Sequence, residues 1–279
     1  MATLAKMREQ AQGLPSRVVG WREANAILAI AFRDFLKLLR DPARMVSTFI
    51  FPLIFIGILG SSMQANLGSA AGYNILVFTF TGVFAQTVYQ STTTGIISLM
   101  DDRANDFSQE IFVSPISRYS IIFGKILGET LVAFPQGVAI LLFAFVIGVP
   151  LSWAQVGGLA AVGFISALYG GAFGVMLLSL VSSRRAADQI FPFLLLPQYF
   201  TAGIFAPIKV LPLYLEILSR LSPLRYAVDL ARGIFYLGQP EYDRIVLTTP
   251  LVNLGVIGVS FVVFIVIGTF LFVRSERNR

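Results

Sequence analysis

Six long apolar stretches divide this chain, and each predicts a helix crossing a bilayer, which takes roughly 20 apolar residues, with a range of about 17–25. They run from Ala43 to Met63, Ile75 to Leu99, Ile121 to Val149, Val156 to Val181, Gln189 to Ala206 and Leu251 to Val273. The third is long for a straight crossing, and the fifth is short and holds Pro192 and Pro197. Ahead of the first, WREANAILAIAFRDFLKLLRDP follows a helical period. Arg22, Arg33, Lys37 and Arg40 fall on one face, with Leu28, Ala31, Phe35 and Leu38 opposite. This predicts an amphipathic helix over 21–41, in the plane of the inner leaflet with its basic side towards headgroups and water. Asp41-Pro42 ends it, because the residue before proline is pushed out of the α region. A peripheral anchor with no further role fits the same pattern. The fold expected is all-α: a loose tail over 1–20, the interfacial helix, a six-helix membrane domain over 42–273 and a short tail over 274–279.

Composition narrows the chemistry. Apolar residues make up 56% of the chain and charged residues 13%, with mean hydropathy +0.77, against about 45–50% and about 25% in soluble domains. With no Cys and no His, the chain has no thiolate nucleophile, no imidazole base, no disulfide and no Cys/His metal site. The pair Gly124-Lys125 is followed by Ile126 and has no glycine-rich loop before it. Nucleotide binding and enzymatic activity are therefore not expected of this chain. The opening MATLAKMREQAQGLPSRVVGW lacks the apolar core of a cleavable signal.

Orientation follows from Lys and Arg, which concentrate in cytoplasmic loops. Lys6, Arg8, Arg17, Arg22, Arg33, Lys37, Arg40 and Arg44 precede the first stretch, whereas loops 64–74 and 150–155 hold neither residue. Arg103, Arg118, Arg184, Arg185, Arg274, Arg277 and Arg279 mark the other inner loops and the tail, so both termini are expected in the cytoplasm. The exception is 207–250, predicted outside, where Lys209, Arg220, Arg225, Arg232 and Arg244 are accompanied by Glu216, Asp229, Glu241 and Asp243. The net charge of +6, gathered at the inner face, suits anionic lipid rather than nucleic acid.

Polar residues inside the apolar stretches are the candidates for function. In the second, Thr79, Gln86, Gln90 and Thr93 share one face, with Thr87, Ser91, Thr94 and Ser98 beside it. Amides cannot be left unsatisfied in hydrocarbon, so these residues either bond neighbouring helices or line a hydrated path. Gly163, Ala167 and Gly171, and Gly170 with Gly174, are spaced for close helix packing. Glu129 is the most intramembrane carboxylate, and a position near the cytoplasmic interface competes with a proton-relay role.

Three stretches in order resemble the type-2 ABC transporter permeases, which include exporters of drugs, polysaccharides and nodulation factors. LLRDPARMVSTFIFPLIF is similar to the family's Arg-Asp-Pro entry into the first span. SQEIFVSPISRYSIIFGK is similar to its cytosolic segment with a Ser-Pro-hydrophobic-Ser-Arg core. LLLPQYFTAGIFAPIKVLPLYLEILSRLSPLRYAVDLARGIFY is similar to its fifth span, Gly-x-Phe-x-Pro exit and Pro-Leu-x-Tyr-x-x-Asp-x-x-Arg ending. The chain departs from the family at Asp101-Asp102-Arg103-Ala104-Asn105-Asp106, where an acidic-basic run followed by Gly-Thr is usual.

The resemblance implies a coupling helix in loop 101–120 that docks on a separate ATPase, with Phe107, Gln109, Glu110, Ile111, Phe112, Ser114, Pro115 and Arg118 as its residues. It implies that the helix carrying Arg22, Arg33, Phe35, Lys37 and Arg40 lies beside the same ATPase. It also implies short re-entrant or interfacial helices over 207–250, and a pathway lined by the second and fifth spans at Thr79, Gln86, Gln90, Thr93, Gln198 and Tyr199. A second copy or a similar permease, two cytosolic ATPase subunits carrying ATP and Mg, and membrane lipid are the partners implied. The setting implied is the inner membrane of a prokaryote. An ion- or proton-coupled carrier using Glu129 and a non-transporting scaffold are the rival functions.

Overall fold

The computed structural model describes residues 16–104 and 117–277, and every regular element among them is helical. The first helix, α1 (Ser16–Leu39), is followed by α2 (Pro42–Ile54), which starts on proline. Proline suits a first helical turn because its missing N–H would have no partner there. After Pro52 the helix widens into one π-type turn, Phe55–Gly60, and resumes as α3 (Ser61–Ala71). It stops at Gly72, in the left-handed region at φ 70°, a conformation open to a residue without Cβ.

Asn74 caps α4 (Ile75–Gly95) by accepting from the Val77 N–H. Gln64 of α3 accepts from the Ile75 N–H at 2.6 Å, so α3 and α4 are joined through the open donors of a helix start. A short α5 (Ser98–Ala104) ends the first described segment. Ser117 then caps α6 (Arg118–Val146), and a reciprocal Ser152–Gln155 capping box begins α7 (Trp153–Ser179). Ser183 caps α8 (Arg184–Thr201), so this helix starts five residues ahead of the apolar stretch that predicts it. Beyond a 3₁₀ turn at Ile208–Val210 come α9 (Leu213–Leu221), α10 (Pro223–Phe235), α11 (Tyr242–Ile245) and α12 (Pro250–Arg277). Short helices therefore lie between Ile208 and Ile245.

Among the described residues, four segments are long and apolar enough to cross a membrane: Phe49–Ala71, Tyr119–Val146, Trp153–Ser179 and Tyr242–Leu271. Six were expected. The other two correspond to α4 and α8, and both fall short through polarity. Thr, Ser and Gln fill the second half of α4, and Arg184, Arg185 and Asp188 occupy the first turns of α8.

The core sits around α7, whose apolar stretch is 72% buried, against 17% for Phe49–Ala71. Phe78, Phe80, Phe84 and Tyr89 of α4 pack with Tyr169 and Phe173 of α7, Phe191 of α8 and Phe235 of α10. The small-residue spacing in α7 has a plain packing role. A Cβ on Gly170 would lie 2.1 Å from the Tyr89 carbonyl oxygen, and one on Gly174 2.6 Å from that of Thr93.

Candidate functional site

A cleft of about 230 Å³ lies against α4. Gln86, Thr87, Gln90, Ser91 and Thr94 of α4 and Gln136 of α6 give it a polar lining, faced by Phe51, Pro52 and Phe55. The Gln86 amide donates to the Gln90 oxygen at 3.3 Å, and the Gln136 amide to the Ser91 hydroxyl at 2.9 Å. Tyr199 of α8 lies close to Gln86 and Gln90. Each carboxamide has two donors and two acceptor lone pairs, so the cleft can exchange internal hydrogen bonds for bonds to a polar group while the phenylalanine rings cover an apolar one.

The six residues expected along a pathway divide. Gln86 and Gln90 line the cleft and Tyr199 joins them. Gln198 is 8% exposed and donates to Leu194 of its own helix. Thr79 is fully buried. Thr93 faces α7, its hydroxyl within 2.8 Å of the Tyr89 carbonyl and 2.9 Å of that of Gly170. Of the two readings of the polar helix, Thr93 follows the packing one, and the glutamines border open space. Gln136 went unnoticed in the sequence because a single glutamine in a 29-residue apolar helix has no periodic signature.

Just past the C-terminal end of α4, charges gather. Arg33 of α1 reaches Asp102 of α5 at 2.5 Å and Asp34 at 2.8 Å, and Lys37 reaches Asp102 at 3.0 Å. Lys125 of α6, 1% exposed, contacts Asp34 at 2.7 Å, Glu129 at 3.2 Å and Asp102 at 3.5 Å. Ser98 donates to Glu129 at 3.0 Å. Arg33, Lys37 and Lys125 thus balance Asp34, Asp102 and Glu129. Balance matters, because a buried charge left without its partner is strongly destabilising.

The cluster ties α1 to α6. Glu23 accepts from the Ser117 N–H at 3.0 Å, and glycines let the backbones meet: a Cβ on Gly124 or Gly128 would come within 3.2 Å of Ile27 or 3.1 Å of Ala31. Ile30, Ala31, Asp34 and Leu38 are buried, Phe35 is half-buried, and Leu28 is 60% exposed. The basic face is also divided: Arg22 and Arg40 are exposed, while Arg33 and Lys37 bind Asp102. Asp34 was legible as a candidate, since it sits four residues after Ile30 and four before Leu38, in the buried stripe.

Burial pushes the Asp102 carboxyl up, but Lys125, Arg33 and Lys37 outweigh it and hold it below the usual carboxylate range. A carboxyl lowered by folding contributes fully above its ordinary pKa of about 3.9 and loses that contribution as pH falls through the lower folded value. Thermal unfolding in detergent should therefore show an Asp102→Asn destabilisation that is constant from about pH 8 to 5 and shrinks below about pH 4.

At the opposite end, α10 is fastened from two sides. Asp229, 2% exposed, accepts from the Leu247 N–H at 2.8 Å, the Thr248 N–H at 2.9 Å, the Thr248 hydroxyl at 3.1 Å and the Asn253 amide at 2.8 Å. Arg232 donates to the Gly203 carbonyl at 2.7 Å, just past the end of α8, and lies 3.6 Å from the centre of the Phe78 ring. Burial draws its pKa down to about 10.

Phe107, Gln109, Glu110, Ile111, Phe112, Ser114 and Pro115 lie outside the described residues, and Arg118 is the first residue of α6. No group of His, Cys, Asp and Glu among the described residues is arranged to hold a metal ion.

Comparison with known proteins gives these features a setting. A protein of Cyanophora paradoxa named as a transport permease, ycf38, is 24% identical over 90% of this chain and 89% of its own length. A protein of Escherichia coli (strain K12) named as a multidrug ABC transporter permease, YbhR, is 27% identical over 52% of this chain and 40% of its own length. Nodulation protein J of Neorhizobium galegae is 24% identical over 85% of this chain and 88% of its own. The model of the ABC-2 type transporter family matches residues 25–236, which take in α1, the cleft, the charge cluster and α10, and the chain is therefore a multi-pass membrane protein of that family, a transport permease.

Proposed function

We propose that this chain is the membrane subunit of an ATP-driven exporter, moving an amphiphilic molecule (a drug, a lipid or a lipid-linked polysaccharide) out of the cytoplasm or the inner leaflet. The observation that carries this reading is the cleft: carboxamides and hydroxyls on α4 facing the rings of Phe51 and Phe55, a lining suited to a ligand with a polar and an apolar part. The names of the relatives from E. coli and N. galegae fit such cargo.

In this reading α4 and α8 are spans despite their polarity, which makes six, with both termini in the cytoplasm and the chain in the inner membrane of a prokaryotic cell. Polar residues in a span belong next to other protein or a hydrated path. The helix bordering the cleft is thinly covered: Val46, Ile50, Phe51, Ile54 and Ile58 are all exposed, and a second copy, or a similar permease, completes the pathway against them. Two cytosolic ATPase subunits bind ATP with its Mg and dock on loop 101–120 and α1. The carrier alternative would use Glu129 as a proton site, but that carboxylate is held by Lys125 and Ser98.

The deciding experiment is ATP hydrolysis by the purified chain in lipid, alone and co-expressed with an ATPase encoded beside it. The expected outcome is none alone and lipid-sensitive turnover in a stable complex; failure to form a complex with any ATPase would overturn the reading. Glu110→Ala with Phe112→Ala should weaken that complex at least about tenfold, as expected for central interface residues, while the permease still inserts.

A further inference from the structure

Two adjacent aspartates on α5, just past the cleft helix, are held by different parts of the molecule. Asp102 belongs to the buried cluster, where its own side chain is 12% exposed and those of Lys125 and Asp34 are 2% and 3%. Asp101 instead pairs with Arg184, the first residue of α8, and there the side chains are 33% and 55% exposed. Arg184 has a second acid within reach, Asp188 one turn along its own helix at 3.5 Å. One clasp is dry and the other is wet, with a substitute partner waiting.

We propose that the Asp101–Arg184 pair is a releasable latch across the cytoplasmic entrance between α4 and α8, while Asp102 fixes the end of α4 to α1 and α6. The inference rests on reading the chain as an alternating-access permease. Tyr199 of α8 lies near Gln86 and Gln90 of α4 beside the cleft, and Arg184 at the start of α8 pairs with Asp101 of α5 beneath it. The cleft itself is walled by α2, the π-type turn, α4 and α6, so a route that enters it from the cytoplasm along the α8 side of α4 passes the lower contact. An exposed pair shifts an equilibrium by about fivefold at most and is screened by salt, which suits a contact that must break in every cycle. When it opens, Arg184 turns to Asp188, so neither state leaves the guanidinium unpaired. The buried cluster behaves oppositely, since separating its members would strand charge in a dry site. It makes Asp102 the fixed point about which α8 moves.

The chain has no cysteine, so one introduced thiol reports cleanly. Thr94→Cys places it on the cleft lining, and inside-out vesicles containing the assembled ATPase complex without nucleotide expose it to a hydrophilic maleimide from the cytoplasmic side. Arg184→Gln or Asp101→Asn should raise the labelling rate about fivefold, the double exchange Asp101→Arg with Arg184→Asp should return it, and raising salt should accelerate labelling with the latch residues intact. A rate indifferent to all three changes would overturn the latch. The salt arm needs no change at the latch residues, so it decides the matter even where a variant folds poorly. Absence of any ATPase complex would sink the permease reading instead; a complex that turns over with unaltered labelling sinks only the latch.

Discussion

Replacing Asp229 by alanine is expected to destabilise the fold by about 4 kcal/mol, one of the two largest effects of any single substitution considered. The carboxylate is 2% exposed and accepts from two backbone N–H groups, a hydroxyl and an amide. Alanine leaves those donors without an acceptor, and each buried unsatisfied group costs about 1–3 kcal/mol. Some relief comes from Thr248 and Asn253, which already bond to each other at 2.9 Å. Asp229→Asn keeps one acceptor oxygen but turns an NH2 towards donors, so about half the loss is expected. Denaturant or thermal unfolding in detergent checks the order wild type, Asn, Ala. An alanine variant within about 1 kcal/mol of wild type, the net worth of one ordinary hydrogen bond, would show that the four bonds do not hold α10 to the start of α12.

Gly170→Val should be comparably damaging, by about 3 kcal/mol, for a steric reason. The obstacle to a Cβ is the Tyr89 carbonyl at 2.1 Å, with the Thr92 hydroxyl at 2.5 Å. Because one of these is backbone, no change of rotamer clears the space; α4 and α7 have to move apart. Overpacking a close-packed interior costs about 1–3 kcal/mol, and separation also breaks the Thr93–Gly170 hydrogen bond. Gly157 of the same helix is the control, since nothing lies within 4 Å of its missing Cβ. Gly157→Ala should be neutral or stabilising by up to about 1 kcal/mol, the helix-propensity difference. Similar losses at both positions would remove the packing argument.

How much of this was legible in the sequence depended on whether a feature is local. The helices α6, α7 and α12 follow from apolar runs bounded by Ser, Pro or charge, and their starts carry Ser caps or a first-turn proline. The start of α8 was misplaced because its first turns read as a loop: Arg184, Arg185 and Asp188 are polar, and only the Ser183 cap shows where the helix begins. The two glutamines of the cleft could be found because they lie one turn apart. The cluster could not be assembled, because Asp34 and Lys125 are 91 positions apart and Arg33 and Asp102 69 apart. Its members are visible singly, as charges inside apolar helical stripes, but pairing them requires the fold. Burial on α1 does not follow the apolar side of the wheel alone: α1 buries Asp34 to meet Lys125, while Leu28 is 60% exposed.

The wide turn at Phe55–Gly60 sets a phase. Winding with five residues between hydrogen-bonded partners holds one residue more than an α-turn does, and one residue in an α-helix is a rotation of about 100°. Everything after Gly60 is therefore turned by about a quarter of the circle relative to a continuous helix from Pro42. Gln64 is the residue that depends on this, because only in the observed phase does its oxygen meet the Ile75 N–H. The widened turn works as a spacer in angle rather than in length, keeping α3 in register with the cap of the helix that carries the cleft.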